Sequence, residues 1–362
     1  MTDDSGAMVL PARTRAATIG DVAARARVSI GTVSRHLNGF RVKENNRLRI
    51  DEAVRSLSYT RNAIASAMKS ERSNMVGLLV PDYDEFHAQL LGQLGKAFRE
   101  KGVVTLTYCH EASVEAARDS LAFFDNHRVN ALILSGSQGL EQELDDMLGR
   151  GVQVIAYDND LGDPRIDQVK VDNARVSQRA VEHLVGLGHE RIAILAGERG
   201  VWTAERRLQG YRDALDAAGI AFDPALVIDG DWRPASGLEG MRRVWARPGR
   251  PSAVFSSNHQ MTLGVLQFAR ERELRLPDEL SVASFDDVEL FRHVTPSITA
   301  IAQPVPAIAR AIRDLFVERY ATDVPSAAST VTLDCELVLR DSTAAPVSPF
   351  PRPRAPARPI GG

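Results

Sequence analysis

The chain has 362 residues and a formal net charge of −3, and its 44% hydrophobic and 25% charged residues are typical of soluble globular proteins with two or three domains. No apolar run approaches the ~18 residues that cross a bilayer, and the N-terminus lacks the pattern of a secretory signal, so we expect a cytoplasmic protein with no membrane partner. The two cysteines, Cys109 and Cys335, are too few for a disulfide framework and have no metal-ligand spacing, so no metal is expected.

The charge is unevenly distributed along the chain. Residues 1–73 contain 13 Lys and Arg against 7 Asp and Glu, whereas the remaining residues contain 31 against 40. A basic segment in front of an acidic body indicates that the first segment meets a polyanion. A basic segment that is only a solvated surface is the plainer alternative.

The N-terminal part predicts a small all-α domain at residues 18–60, preceded by a disordered tail at 1–17. Thr18 is expected to cap a first helix, IGDVAARA, whose apolar residues share one face. Ser29 is expected to cap a second helix over residues 30–37, which ends at Asn38-Gly39 because both residues tolerate the left-handed conformation. A third helix, at about residues 44–57, is predicted to turn three side chains inward: Leu48, Val54 and Leu57.

The rest of the chain has a different pattern of apolar and polar residues. Residues 61–74 predict a hinge helix and linker, and from residue 75 to 343 short apolar runs alternate with amphipathic ones. This alternation predicts parallel sheets covered on both faces by helices. Because about 270 residues are many for one sheet, we expect two α/β lobes. Residues 344–362 are rich in Pro and Arg and predict a disordered tail.

The second helix carries two different faces. Val33 and Leu37 are spaced to pack on the first helix, whereas a polar stripe follows from Gly31, Ser34, Arg35 and Asn38. A capped helix of this kind can enter the major groove, where Arg35 donates to guanine and Ser34 and Asn38 reach phosphate or adenine. A packing helix in an enzyme is the alternative. The pattern favours a helix-turn-helix.

The stretch VSIGTVSRHLNG at residues 28–39 resembles the DNA-binding motif of the lactose-repressor (LacI/GalR) family of bacterial transcription regulators. It matches every fixed position of VSxxTVSRxLN. The resemblance implies that Ile30 and Gly31 discriminate between operators, that Arg35 reads a shared guanine, and that Lys43 and Asn46 lie near phosphate. It implies a DNA-contacting set of Thr18, Ser29, Ile30, Gly31, Thr32, Ser34, Arg35, Asn38 and Asn46.

The segment after the third helix matches the spacing of the family's hinge helix. The matching residues are Tyr59, Asn62, Ala65 and Met68, and in the family this helix orders on DNA and wedges a leucine into the minor groove. Met68 stands at the leucine position and Arg61 replaces the usual proline. An ordinary linker with an incidental helical turn is the alternative reading.

The body resembles the family's effector domain, which has the type I periplasmic-binding-protein-like fold of two α/β lobes. Polar residues follow the predicted strands, at the edge where open α/β sheets bind ligands. The resemblance implies five effector-contacting residues: Asp158, Arg207, Trp232, Asn258 and Asp286. The loop DYDEFHAQ departs from the family's usual D-x-x-N-P-F-F, so Asp84 and Phe86 are added as expected pocket residues whose roles, like that of His87, stay open. His259 stands where the family usually has Asp.

No P-loop, dinucleotide turn, nucleophile elbow or metal cluster is found, so we expect neither a cofactor nor catalysis. The sequence predicts a homodimeric regulator, most simply a repressor, that binds palindromic double-stranded operator DNA and responds to a sugar or sugar derivative. Either sign of the response, induction or corepression, fits this scaffold. Two alternatives are a solute-binding receptor and an α/β enzyme with a helical appendage, in which Asp158 and Asp286 would act as an acid–base pair.

Overall fold

The computed structural model describes residues 17–37, 39–59, 73–136, 139–321 and 327–346. The chain divides between Ser73 and Asn74 into two compact units, which we call the head and the body. Several sequence predictions lie outside the described residues: Asn38, the hinge residues Arg61, Asn62, Ala65 and Met68, and the tails at 1–16 and 347–362.

The described part of the head contains three helices: α1 (Ile19–Ala26), α2 (Ile30–Leu37) and α3 (Glu44–Ser56). Thr18 caps α1 as predicted, because its hydroxyl accepts from the amide of Asp21 while the Asp21 carboxylate accepts from the amide of Thr18. This reciprocal capping box satisfies two amides that the first turn leaves without partners. It fixes the point at which the chain enters the head.

The core of the head lies between the three helices. Its buried residues are Val22, Ala23, Ala26, Val33, Ile50 and Ala53. The prediction that Leu48 points inward is wrong, since its side chain is 54% exposed. Ile50 and Ala53 set the buried face of α3, and Leu48 is two residues before Ile50, roughly 160° away around a helix of 3.6 residues per turn. Val54 and Leu57 do pack against the core.

The body alternates strands and helices from Met75 onward. In chain order its elements are β1 (Met75–Val80), α4 (Glu85–Arg99), β2 (Val104–Cys109), α5 (Val114–Asn126), β3 (Ala131–Leu134), α6 (Glu141–Gly149), β4 (Gln153–Tyr157), β5 (Asp167–Val171), α7 (Asn173–Gly186), β6 (Ile192–Gly197), α8 (Trp202–Ala217), β7 (Val227–Asp229), α9 (Pro234–Trp245), β8 (Ala253–Ser256), α10 (His259–Glu271), β9 (Ser281–Phe285), α11 (Leu290–His293), β10 (Thr299–Ala302), α12 (Val305–Ala321), β11 (Thr330–Leu333) and β12 (Glu336–Val338).

These strands form two six-stranded sheets, one in each lobe. The first sheet has the order β2-β1-β3-β4-β5-β11 and all its pairs are parallel. The second has the order β7-β6-β8-β9-β10-β12 and is parallel except for the β10–β12 pair. The first strand of each sheet, β1 or β6, has the next two strands of the chain on its opposite sides, so the strand order reverses there. Ligands of open α/β sheets bind beyond the carboxyl ends of the strands at such a reversal.

Buried apolar side chains cover both faces of each sheet, which accounts for the continuous apolar runs of the strands. In the first lobe, α5 and α6 cover one face and α4 and α12 the other. In the second lobe, α9 and α10 cover one face and α7 and α8 the other. The fold class predicted from the sequence is confirmed.

The chain passes between the lobes three times. The crossings lie between β5 and α7 at Asp172, between β10 and α12 at Gln303-Pro304, and between β11 and β12 at Asp334-Cys335. The last crossing gives each sheet one strand from the C-terminal segment. The predicted tail began at residue 344, but Ala344 is hydrogen-bonded to His189 and Ser281, so the fold extends through that residue. None of the described helices is long and apolar enough to span a membrane.

Candidate functional site

The helix α2 presents a packed face and an exposed face. The hydroxyl of Ser29 accepts from the Thr32 amide at 3.2 Å and lies 2.9 Å from the Thr32 hydroxyl, so Ser29 caps the helix. Val33 is fully buried in the head core. Ile30, 48% exposed, and the neighbouring Gly31 and Arg35 face the solvent. The exposed face therefore carries the two residues predicted to discriminate between operators and the one predicted to read guanine.

Two further contacts involve side chains of α2. His36 Nε2 lies 2.6 Å from a carboxylate oxygen of Asp51 on α3. The guanidinium of Arg35 lies 5.9 Å from the centroid of the Phe40 ring, in the loop that follows the helix. Among the other predicted DNA contacts, Ser34 and Asn46 are half-buried, and Tyr59 packs against the head core.

A cleft between the two lobes of the body has a volume of about 860 Å³. This size suits a small-molecule ligand. All seven residues predicted to bind an effector line it: Asp84, Phe86, Asp158, Arg207, Trp232, Asn258 and Asp286. The first three come from one lobe and the last four from the other, so the fold brings together residues that are up to 202 positions apart in the sequence.

Arg207 lies at the centre of this set and is only 3% exposed. Its Nε donates to the side-chain oxygen of Asn173 at 2.8 Å, and its Nη1 donates to the carbonyl of Ser257. Its Nη2 lies 3.5 Å from a carboxylate oxygen of Asp158, an ion pair without a hydrogen bond. The guanidinium is thus held on two sides and turned toward an acid of the opposite lobe.

Both carboxylate oxygens of Asp286 have partners. One oxygen accepts from Gln303 Nε2 at 2.8 Å, and the other lies 3.2 Å from His259 Nδ1. Burial alone would raise its pKa, but the bond and charge of His259 and the charge of Arg207 outweigh burial and lower the pKa to about 2. Asp286 is therefore an anion at physiological pH, and through Gln303 it contacts the second crossing between the lobes.

Asp84 caps the start of α4 and also holds the ring of His87. One carboxylate oxygen accepts from the His87 amide at 2.9 Å, which caps the helix, and also from His87 Nδ1 at 2.7 Å. Burial would raise the pKa of this carboxyl, but the bond to His87 outweighs it and the pKa lies below its ordinary value. His87 thereby stands at the cleft with a fixed ring orientation.

Asp158 differs from these two acids because burial raises its pKa, and the nearby Asp286 charge raises it further against the opposing effect of Arg207. Its Oδ1 has no hydrogen-bond partner among the described residues. A buried acceptor without a partner is costly unless a ligand or water meets it. Asp158 is thus the acid of this set that is best placed to accept from a ligand.

Trp232 is positioned by two neighbours. Asn258 donates to its carbonyl at 2.9 Å, while the side-chain oxygen of Asn258 caps α10 by accepting from the Met261 amide at 2.8 Å. A Cβ on Gly197 would stand 2.3 Å from the Trp232 ring, so only glycine lets the ring lie there. Asn258 is therefore a structural residue as well as a cleft residue, with one amide hydrogen left for a ligand.

Three of the seven predicted effector-binding residues have a left-handed backbone: φ is 63° at Asp158, 68° at Trp232 and 69° at Asp286. This conformation is tolerated by Asp and is a genuine outlier for a bulky residue such as Trp. Such strain clusters at binding sites, where the surrounding structure holds it in place. These three residues lie around one cleft, which we take as the candidate functional site of the body.

The lining of the cleft is acidic. It contains two arginines, Arg207 and Arg233, and eight carboxylates: Asp82, Asp84, Glu111, Asp158, Asp160, Glu198, Asp231 and Asp286. Among the residues that the structure describes, no group of three or more His, Cys, Asp and Glu side chains is arranged to hold a metal ion.

Comparison with known proteins relates both units to described families. The family of bacterial regulatory proteins called the lacI family matches residues 18–62, and a periplasmic binding protein-like domain matches residues 181–343. The HTH-type transcriptional regulator CelR of Thermobifida fusca is 31% identical over 341 residues, which cover 91% of this chain and 99% of CelR. The chain belongs to the lacI family.

Two solved structures show the same fold in other lacI-family proteins. The lac repressor dimer bound to operator and the anti-inducer ONPF has a TM-score of 0.79 and 26% identity, and the match covers 91% of this chain and all of that one. The CelR–cellobiose complex has a TM-score of 0.69 and 29% identity, and covers 90% and 99% of the two chains. This lacI-family protein is a DNA-binding transcriptional regulator with an effector domain, as its sequence predicted. The roles of the individual residues stay predictions.

The structure of this lacI-family regulator adds residues that the sequence argument did not single out. Asn159 and Thr203 face each other across the cleft: the Asn159 side-chain oxygen accepts from the Thr203 amide at 3.3 Å and from its hydroxyl at 3.2 Å. Trp202 lines the cleft beside them, with the Lys170 ammonium 5.2 Å from its ring. The only sequence signal in this group is that Asn159 directly follows the predicted Asp158.

Proposed function

We propose that this regulator binds a palindromic operator as a homodimer, represses transcription in the cytoplasm, and is controlled by a saccharide in the inter-lobe cleft. The observation that carries the effector part is the group formed by Arg207, Asp158, Asp286 and Trp232. A guanidinium and carboxylates bind vicinal hydroxyls, and an aromatic ring stacks on the apolar face of a sugar ring. CelR, a relative over almost its whole length, has been solved with cellobiose.

The operator part rests on the exposed face of α2. Ile30 and Gly31 offer apolar contact and close approach, whereas Arg35 offers a pair of donors that suits the two acceptors of guanine. The capped N-terminus at Ser29 suits a phosphate, because the amides of a first turn attract anions. The predicted phosphate contacts at Thr18 and Asn46, and the hinge contacts at Tyr59, Asn62, Ala65 and Met68, complete this proposal.

The dimer rests on symmetry and on an exposed strand. A regulator that reads two half-sites needs two heads on a two-fold axis. β2 is the edge strand of the first sheet, and its Val104 and Tyr108 are 47% and 39% exposed. Apolar side chains on an uncovered edge strand invite pairing with another strand or chain, and we assign this edge to a second copy of the chain.

Control follows from linkage between the cleft and the DNA. In the cleft, Asp286 contacts Gln303 and Arg207 contacts Asn173. Gln303 and Asn173 each lie at one of the crossings between the lobes. A saccharide that binds these groups more tightly in one lobe arrangement shifts the equilibrium toward it, and operator affinity changes by the ratio of the two saccharide affinities. We expect the saccharide to lower operator affinity; a corepressor would raise it.

The test has two steps on the full-length protein. First, the operator is selected from random duplex DNA, and the recovered sites should be palindromes with two half-sites. Second, operator affinity is measured by fluorescence anisotropy with and without each of a panel: cellobiose, glucose, galactose, ribose, glucose 6-phosphate and ribose 5-phosphate. A neutral saccharide should weaken operator binding at least tenfold.

Other outcomes separate the parts of the proposal. Stronger operator binding with a saccharide would make it a corepressor. No palindromic site would overturn the dimeric reading of DNA, and no effect of any saccharide would overturn the effector class. Hydrolysis or conversion of a panel sugar by the protein would point instead to an enzyme that uses Asp158 and Asp286.

A further inference from the structure

His87 lies in the first turn of α4 and has an unusual environment for that position. Its side chain is 8% exposed and lines the cleft, and Asp84 holds its Nδ1 at 2.7 Å. Its Nε2 is buried and has no hydrogen-bond partner among the described residues. A polar atom that is buried, oriented by a carboxylate and left without a partner at a ligand cleft calls for an explanation.

The rings around His87 fix its direction. Phe86 packs edge-on against it, with ring centroids 5.1 Å apart, and Tyr157 packs edge-on from β4 at 6.1 Å. The hydroxyl of Tyr157 is also buried without a partner among the described residues. The imidazole is therefore clamped between two rings and one carboxylate, and only Nε2 is left for an outside group.

The chemistry of Nε2 selects the kind of group it can meet. With Nδ1 donating to Asp84, the neutral ring presents Nε2 as an acceptor, and the protonated ring presents it as a donor. A hydroxyl suits both states, because it can donate and accept. A phosphate or carboxylate suits only the protonated ring.

The charges nearby favour the hydroxyl. Asp84 lies directly behind the ring, and the eight carboxylates of the cleft outnumber its two arginines. One of these arginines, Arg207, donates to Asn173 and Ser257, and its charge already faces that of Asp158 at 3.5 Å. An anionic ligand would therefore meet like charges in the cleft, which disfavours its binding.

We propose that His87 is a specificity-determining residue that binds one hydroxyl of an uncharged saccharide through Nε2, with Asp84 as its positioning residue. This assignment rests on the proposed saccharide effector and extends it to a named atom and a charge class. The cleft accepts neutral sugars and rejects their phosphate esters. Phe86 and Tyr157 supply the walls that keep the imidazole in place.

Three substitutions at one position separate the functions of the ring. His87→Phe keeps its packing and removes both nitrogens. His87→Asn keeps an amide where Nδ1 donates to Asp84 and removes the cleft atom. His87→Gln places an amide near the Nε2 position. Full-length variants are compared with the wild type by calorimetric titration with the same panel of sugars and sugar phosphates, and their melting temperatures report folding.

We expect the wild type to bind a neutral sugar and to bind its phosphate ester at least tenfold more weakly. His87→Phe and His87→Asn should lose about ten- to hundredfold in affinity, whereas His87→Gln should stay within a few-fold of the wild type. Deoxy analogues of the bound sugar, each lacking one hydroxyl, give the sharper readout. The analogue that lacks the hydroxyl assigned to His87 should bind the wild type more weakly than the parent sugar does. His87→Asn should bind that analogue and the parent sugar with equal affinity. A purely structural role would weaken all analogues equally.

The contrary results are distinct. Binding by His87→Phe and His87→Asn at wild-type strength overturns the role of His87, and so does an equal loss for every deoxy analogue. Preference of the wild type for a phosphate ester overturns the charge selection and the hydroxyl assignment while leaving a saccharide effector in place. Failure of the wild type to bind any panel sugar overturns the effector class of the proposed function, and the assignment of His87 with it.

Discussion

The guanidinium of Arg207 lies over the ring of Phe285, 3.6 Å from the ring centroid. Phe285 is the last residue of β9 and is fully buried, so it gives the cation a rigid platform at the carboxyl end of the second sheet. The bonds to Asn173 and Ser257 fix the rotation of the guanidinium on that platform. Its remaining nitrogen faces Asp158 and the cleft. Such a group is preorganised for a ligand and loses little entropy on binding.

Replacement of Arg207 by lysine should uncouple the regulator from its effector. An ammonium cannot stack on Phe285 and reach Asn173, Ser257 and Asp158 together, because its three donors lack the planar fork of arginine. We expect Arg207→Lys to weaken saccharide binding at least tenfold by calorimetry and to leave operator affinity without sugar within about threefold. The exposed neighbour Arg206, changed to lysine, is the matched control. Unchanged saccharide affinity in Arg207→Lys would remove this residue from the binding site.

Arg35 should control sequence preference more than overall affinity. Its side chain is exposed on α2, and a guanine contact of this kind contributes about 1–3 kcal/mol. Selection from random duplex DNA should show that Arg35→Ala relaxes one base pair in each half-site. Arg55→Ala serves as control, because that side chain is 73% exposed on the far helix α3 and pairs with Glu52. An equal loss of affinity on operator and random DNA would show that Arg35 contacts phosphate.

The sequence predicted the architecture well because each step depended on local pattern. Apolar runs bounded by amphipathic segments locate β1 to β4, β6, β8 and β9 but not β5, β7 and β10, and the motif around Ser29 and Arg35 locates α2. It could not assign β11 and β12 to different sheets, since two short neighbouring runs, TVTL and ELV, carry no signal for their partners. Leu48 was misplaced for a related reason: only the other helices show which face of α3 is buried.

The sequence named the individual residues of the candidate site, but it did not predict how they contact one another. Strand ends place Asp158 and Asp286 at the carboxyl edges of their two sheets, yet nothing in the sequence shows that Asp286 is paired with His259 while Asp158 Oδ1 lacks a hydrogen bond. The spacing of Asp84 and His87 is that of a helix cap and its third residue, and this signal could have been found. The left-handed backbone at Trp232 is a tertiary effect of Gly197 and Asn258.

The pair of His259 and Asp286 should make stability depend on pH. The pKa of His259 is raised: burial opposes this, but the bond to Asp286 and its charge prevail. A raised folded pKa means that the stabilisation is fully present below the unfolded value of about 6.5 and is lost as pH rises through the folded value. The Asp286 pKa of about 2 places the loss of its own contribution below pH 4, as the carboxyl is protonated.

Urea unfolding of the wild type and His259→Gln checks this dependence. At pH 5.5 the variant should be less stable by about 1–3 kcal/mol, the range for a hydrogen bond to a charged group, and the difference should shrink at pH 9. His293→Gln is the control, since that histidine is 68% exposed beside Glu289 and should show a small difference at both pH values. A difference for His259→Gln that grows with pH would contradict a charged pair in the fold.

Gly197 should be essential for the position of Trp232 and through it for the effector. It has φ of +90°, and an added Cβ would lie 2.3–2.6 Å from atoms of the indole ring. Gly197→Ala therefore combines backbone strain with a clash that must displace the ring. Gly219→Ala supplies the control for strain alone, because Gly219 has φ of +68° and nothing within 4 Å of its added Cβ. Both variants should lose about 1–2 kcal/mol of stability from the left-handed backbone.

Only Gly197→Ala should also lose saccharide affinity, by at least tenfold, and change the tryptophan emission. The reason is that Trp232 then moves relative to Arg207, whose guanidinium lies 5.8 Å from the Trp232 ring. Trp232→Phe identifies the contribution of this tryptophan to the emission among the three in the chain. If Gly197→Ala and Gly219→Ala both bind the saccharide as tightly as the wild type does, the stacking role proposed for Trp232 is wrong. If both lose affinity alike, strain in the second lobe, rather than the position of the ring, controls the cleft.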